Sequence, residues 1–233
     1  MARSAIRVLV FAPHPDDEVL GCGGSIAKLT AAGARAHVAY LTSGEQGSGL
    51  VPPAELGPVR EGEARAAVSR LGVDPADVTF ARFGDGQVSP YDLAQAEAVM
   101  RLVRKVRPYL VYLPHEHDGS FDHEAAHRLV LRAADMAGSR NLAHLGEPHW
   151  APCVLAYEVW SPISRPSYLE DISAFTAAKA AALGCYSSQA GKGAGQATHV
   201  GPAGLALAAH RGATTTGGHR EAFTVIRTGR VLP

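Results

Sequence analysis

The chain has 233 residues, 46% of them hydrophobic and 19% charged, and its 22 basic and 22 acidic side chains balance to zero. That length holds one substantial α/β domain or at most two small ones, and the even balance gives no field to draw in nucleic acid or an anionic membrane. No uninterrupted apolar stretch reaches the roughly 18 residues of a membrane span, and Cys22, Cys153 and Cys185 lack both CxxC spacing and the density of a disulfide framework, which fits a reducing cytoplasm.

The N-terminal apolar run is too short for a signal peptide and meets charged residues where a cleavage site should be. "IRVLVFA" (6–12) is continuously apolar, as a strand buried on both faces must be. "EVLGCGGSIAKLTAAGA" (18–34) has helical spacing and ends near Gly33; "AHVAYLT" (36–42) is a second strand. A Gly- and Pro-rich loop (43–58) precedes an amphipathic helix (59–72) that stops at Gly72. "VTFARF" (78–83) is a third strand, residues 91–107 a helix stopped by Pro108, and "YLVYLP" (109–114) a fourth strand, with helix again from Glu124. Further on, 154–162 is strand-like, 169–188 helical, 189–219 a Gly-rich loop region and 220–228 a late strand or short helix. Strands alternating with helices specify an α/β fold, a mostly parallel sheet with helices on both faces. With no internal repeat and no linker, residues 1–233 are expected to form one domain, the C-terminal third completing it as a smaller, irregular lobe.

Chemistry concentrates at two places. "PHPDDE" (13–18) directly follows the first strand, and "HEHDGSFDH" (115–123) directly follows the fourth. Ligands of an open parallel sheet gather at the C-terminal ends of its strands, so His14, Asp16 and Asp17 are expected on the same edge as His115 to His123. Imidazole and carboxylate are ligand types zinc accepts, three protein ligands plus water make a catalytic site, and a further carboxylate can act as general base. A cation would also offset the repulsion among crowded acids. Asp16, Asp17 and Glu18 taken alone also fit an N-cap and first helical turn, but that reading leaves His14 and the second cluster unexplained.

"VLVFAPHPDDEVLGCGGSIAKL" resembles the opening of the LmbE-like, or PIG-L, family of zinc-dependent N-deacetylases. The resemblance continues in "VREGEARAAVSRLGV", "FGDGQV", "PHEHDGSFDHEAAHRLV" and "KAAALGCYSSQ". It implies a Rossmann-like fold and removal of acetyl from an N-acetylglucosamine-type small glycoside. Carried over by position, it implies His14, Asp17 and His123 as ligands of one Zn²⁺ per chain (Fe²⁺ an alternative), Asp16 as general base, and Arg60 and Asp85 on sugar hydroxyls. Arg60 and Asp85 equally fit ordinary surface or capping roles. Where the family has HPDH, this chain has "SFDH", with Ser120 in place of a histidine that stabilises the oxyanion or protonates the leaving amine. A hydroxyl is a poor proton donor at neutral pH, and His115 or His117 is expected to supply an imidazole if its loop folds back. Hydrolysis of another small amide or acyl-sugar, or a metal- or sugar-binding protein impaired by the Ser120 change, are the alternatives.

"HEAAH" (123–127) is a literal HExxH, which would pair His123 with His127 on zinc and make Glu124 the base, but that reading leaves PHPDDE without a role. "GCGG" (21–24) and "GEQGSG" (44–49) are neither a GxGxxG fingerprint in position nor a P-loop, so the first is expected to serve close helix packing. There is no GxSxG nucleophile elbow.

Overall fold

The computed structural model describes residues 5–48, 50–189 and 200–229. Its strands are β1 (Arg7–Ala12), β2 (Arg35–Tyr40), β3 (Val78–Phe80), β4 (Leu110–Pro114), β5 (Cys153–Tyr157), β6 (Tyr168–Asp171) and β7 (Arg220–Arg227). The helices are α1 (Asp17–Ala31), α2 (Pro53–Arg70), α3 (Leu93–Val106), α4 (Phe121–Met136), α5 (Thr176–Leu183) and α6 (Val200–Ala213). All seven strands join one sheet in the order β3-β2-β1-β4-β5-β7-β6. The first five are parallel, and β7 runs antiparallel to both β5 and β6. The C-terminal third thus extends the same sheet.

The continuous apolar run of β1 follows from its central place. Successive side chains point to opposite faces, so Val8, Val10 and Ala12 enter one core with α1, α2 and α5, while Leu9 and Phe11 enter the other with α3 and α4. Val10 is flanked by Val38 of β2 and Tyr112 of β4. Between β1 and β4 the strand order reverses, and there the connections leave in opposite directions and open a crevice. PHPDDE and the 115–123 segment emerge on either side of it.

The structure departs from the sequence expectations along three stretches. Helix α2 begins at Pro53, inside the expected loop, because Pro52 and Pro53 form a cap and first helical residue whose fixed φ suits a helix start. Pro58 is tolerated within it, although a proline there removes one hydrogen bond of the ladder. Residues 169–188 are not one helix: β6 is drawn out by pairing with β7 (Leu169 opposite Ala222, Glu170 opposite Glu221), a tertiary partner overriding local propensity. Within the expected loop region 189–219, α6 is held by tertiary contacts, with Ala208 buried and the Arg211 guanidinium forked onto Glu158. The remainder of that expected loop, 190–199, lies outside the described residues.

Helix α1 is broken at Cys22 (φ −143°, ψ 20°). The break frees the amides of Gly24 and Ser25, and the buried Glu221 carboxylate of β7 accepts both at 2.8 and 2.7 Å. Lys179 of α5, also buried, donates to Glu221 at 2.7 Å and to the freed Leu20 carbonyl at 2.8 Å. The GCGG glycines serve packing, as expected: a Cβ on Gly21 would stand 2.2 Å from the Tyr157 ring and one on Gly24 2.6 Å from Ile172. Removing one partner of a buried ion pair costs about 3–5 kcal/mol, so Glu221→Ala is expected to destabilise the fold by about that much in urea unfolding, and a loss below about 1 kcal/mol would refute the splint.

Candidate functional site

The chain turns sharply after β1. Asp16 sits at φ 122°, a conformation few non-glycine residues adopt and one that local contacts must hold in place. The Arg60 guanidinium, buried in α2, does this by donating to Asp16 Oδ2 at 2.9 Å and to the carbonyls of Pro15 and, at 2.8 Å, Gly44. Gly44 is required beside it: its φ is +62°, and a Cβ would stand 2.3 Å from Arg60 Nη1. Asp17 opens α1 and accepts the His14 amide at 2.9 Å, which folds His14 back over the first turn. Glu18 points inward, where Tyr186 donates to it at 2.5 Å and the Asp16 amide at 3.2 Å.

From the other side of the crevice, α4 delivers His123. Its Nε2 lies 3.1 Å from Asp17 Oδ2, and His14 Nδ1 lies 3.2 Å from the same oxygen. The three expected ligands therefore converge, and their donor atoms all fall within 4.8 Å of one another. Two buried atoms here have no hydrogen-bond partner among the described residues, Asp17 Oδ1 and His123 Nε2. Ligands about 2.0–2.1 Å from a tetrahedral zinc stand about 3.3 Å apart, close to these separations. A nitrogen–oxygen–nitrogen donor set with unsatisfied buried atoms fits a divalent metal ion.

Each imidazole is backed by carboxylate, which fixes the ring and its tautomer as second partners of metal-bound histidines do. Asp118 Oδ2 lies 3.1 Å from His123 Nδ1, and Asp118 is itself held by the amides of Trp160 and Ser161, both at 3.2 Å. On His14 Nε2 the partners are Asp122 and Asp85, each at 3.2 Å. Asp122 accepts the amides of Gly86 at 2.8 Å and Val88 at 3.2 Å, and Asp85 accepts the Gln46 amide at 2.8 Å.

The electrostatics follow from burial and crowding. Burial lifts the Asp16 carboxyl to about 7, with Arg60 opposing and Asp17 adding to the rise. Burial likewise pushes Glu18 to about 7 against the hydrogen bond from Tyr186. Asp17 is held far below the ordinary carboxylate range: burial would raise it, but His123 and His14 outweigh that. Burial lowers both imidazoles, yet the surrounding carboxylates more than offset it, leaving His14 well above its usual value and His123 at about 9.

A cavity of about 310 Å³ opens onto this cluster, lined by His14, Asp16, Asp17, Arg60 and Asp85 together with Ser120, Phe121 and Trp160. His115 and His117 instead line a separate cavity of about 600 Å³ beside α4 and β7, and His115 Nε2 faces the Ser161 carbonyl at 2.7 Å. The loop does not fold back, so neither imidazole reaches the Ser120 position. His127 turns its Nδ1 to the Pro114 carbonyl at 2.9 Å and lines the same larger cavity, so the HExxH pairing is not formed. Asp118 and Asp122 are the site residues sequence reasoning missed; their signal was two further acids inside the already flagged 115–123 cluster.

The PIG-L family model, described as GlcNAc-PI de-N-acetylase, matches residues 9–134. A 1D-myo-inositol 2-acetamido-2-deoxy-alpha-D-glucopyranoside deacetylase of Streptomyces scabiei is 33% identical over 201 residues, covering 73% of this chain and 60% of the relative. A diacetylchitobiose deacetylase of Thermococcus kodakarensis is 32% identical over 194 residues, covering 78% and 70%. The chain spans about three fifths of the length of the first curated relatives it matches. Among solved structures, a conserved protein of Thermus thermophilus superposes with a TM-score of 0.83 at 34% identity, covering 97% of both chains. GalB, the 4-carboxy-2-hydroxymuconate hydratase of Pseudomonas putida, gives 0.83 at 26% identity over 98% of both.

Asp118→Ala is expected to weaken divalent-metal affinity about 10- to 100-fold while leaving the ligand set intact; unchanged affinity in a chelator-competition titration would exclude the orienting role. In the metal-free protein His123 keeps its proton up to about 9, so below that pH an incoming metal must displace it. Apparent affinity is therefore expected to rise with pH up to about 9 and to weaken on acidification, measured by the same titration at several pH values.

Proposed function

Because the chain belongs to the PIG-L family, we propose that it is a zinc-dependent hydrolase that removes the N-acetyl group from an N-acetylglucosamine unit of a small glycoside. The observation that carries this is the convergence of donor atoms of His14, Asp17 and His123 within 4.8 Å, with Asp17 Oδ1 and His123 Nε2 buried and without a hydrogen-bond partner among the described residues, and Asp16 lining the same cavity as His14 and Asp17. Zinc bound there would supply Lewis acidity, making water more acidic and polarising a carbonyl.

The chain's own groups do the rest. Asp16, its carboxyl poised near neutrality, takes the proton from the attacking water. Arg60 holds Asp16 in its strained turn and opposes the rise that burial imposes on its carboxyl. Asp118 and Asp122 keep the two imidazoles oriented, which is the preorganisation on which electrostatic catalysis depends. The water oxygen bonds to the acetyl carbon, the amide C–N bond breaks to give acetate, and the amine takes up the proton that Asp16 removed from the water. Asp85 and Arg60 both stand on the cavity wall, where they can meet sugar hydroxyls.

A second reading rests on Ser120. Among the described residues, no imidazole besides that of His14 lines the cavity to protonate a leaving amine. A reaction with no amine leaving group, such as the addition of water to a double bond, removes that need, and a 26% identical neighbour with this fold is named a hydratase.

Zinc-loaded protein is expected to release acetate from N-acetylglucosaminides. Asp16→Asn is expected to lower the rate about 10²- to 10⁴-fold with one zinc per chain retained. A zinc-loaded wild type that releases no acetate from any such sugar, yet hydrates an unsaturated carboxylic acid, would move the assignment to the second reading.

A further inference from the structure

Along the first turn of α4 the buried and the exposed stand side by side. Asp122 and His123 are inside the site, while Phe121, which precedes them, is 74% exposed. Such a position at a cavity mouth leaves a large apolar ring in water with no packing gain. Phe121 is nevertheless not isolated. It forms a wall shared by two concavities: the cavity over the metal ligands, and a neighbouring one of about 250 Å³. The second is lined by Val88, Pro90, Tyr91, Ala125 and Arg128, with Tyr91 80% exposed.

The second concavity is built rather than incidental. Its floor, the 86–89 loop, is tied to Asp122 through the amides of Gly86 and Val88. Gln95 of α3 locks the same loop by accepting the Ser89 amide at 2.9 Å and donating to the Gln87 carbonyl at 3.0 Å. The residue that backs His14 therefore also fixes how far this concavity lies from the metal ligands. A ring docked there stands at a set distance from His14, which is what a preformed subsite requires.

We propose that this concavity is the subsite for the group attached to the N-acetylglucosamine unit, and that it takes a ring with an apolar face, a second pyranose or an aryl group, against Phe121 and Tyr91. Aromatic faces suit both, since each offers a broad apolar face with polar groups at its edge. Arg128 and Glu124 at the far side of the concavity provide charged partners for ring hydroxyls. The assignment rests on the deacetylase reading above and adds to it the class of aglycone.

The test compares kcat/KM for acetate release from GlcNAc, N,N'-diacetylchitobiose and 4-nitrophenyl N-acetyl-β-glucosaminide, in wild type, Phe121→Ala and Tyr91→Ala. The two longer substrates are expected to exceed GlcNAc by about tenfold or more, and each substitution to remove most of that advantage. If acetate is released but the advantage is absent, or survives both substitutions, the subsite is refuted while the deacetylase reading stands. If no substrate releases acetate, the deacetylase reading fails, and direct calorimetric binding of the same three sugars to the zinc-loaded protein decides the subsite: equal affinities for all three, or a preference that Tyr91→Ala does not reduce, would overturn it. Should the substitutions leave the ratios unchanged but convert a larger sedimenting species to a smaller one, the exposed rings are a self-association surface and the proposal falls.

Discussion

Several carboxylates are buried together at one edge of this sheet, and much of the surrounding structure serves to hold them there. Asp16, Asp17, Glu18, Asp118 and Asp122 are all nearly inaccessible to water, and ionised acids this close and this dry are costly unless each is paired or hydrogen-bonded. The partners come from every side. Arg60 of α2 meets Asp16, backbone amides of the 86–88 and 160–161 segments meet Asp122 and Asp118, and Tyr186 meets Glu18. Elements far apart in sequence are thus pinned by the same set of charges. The two imidazoles complete the balance, and a metal ion would add positive charge beside the unsatisfied Asp17 Oδ1.

What could be read from the sequence, and what could not, divides along physical lines. The buried run of β1 and the equally apolar β4 are visible because a strand covered on both faces leaves no polar positions. Once a parallel sheet is inferred, the rule that ligands gather at strand ends brings His14 and His123 to one edge without any contact being known. Asp118 and Asp122 were not separable from ordinary cap residues, because an acid near a helix start has a sufficient local explanation. Arg60 could be placed on a helix, but its grip on Asp16 spans 44 residues of sequence and depends on the depth of α2 against the sheet. β6 and α6 escaped for a related reason: their conformations are set by β7 and by Glu158, not by their own residues. His115 and His117 misled because sequence proximity to His123 says nothing about which side of α4 a loop will face.

The comparisons sharpen the difference between fold and chemistry. A solved structure named as a diacetylchitobiose deacetylase and one named as a hydratase share this fold, and one fold can host different reactions selected by the side chains at its rim. In this chain the rim differs from the resembled pattern where the leaving group would be, with Ser120 and Phe121 ahead of Asp122 and His123. At the first position a hydroxyl stands where that pattern has an imidazole; at the second stands an exposed ring.

The broken first helix has a consequence for how the molecule is made. The amides freed at Gly24 and Ser25 are satisfied by Glu221, 197 and 196 residues further along the chain. The segment carrying His14, Asp16 and Asp17 is made long before the carboxylate that caps the second half of its helix. Long-range closures of this kind are slow and come late in folding. The turn that carries His14, Asp16 and Asp17 therefore cannot reach its final support until β7 has been made.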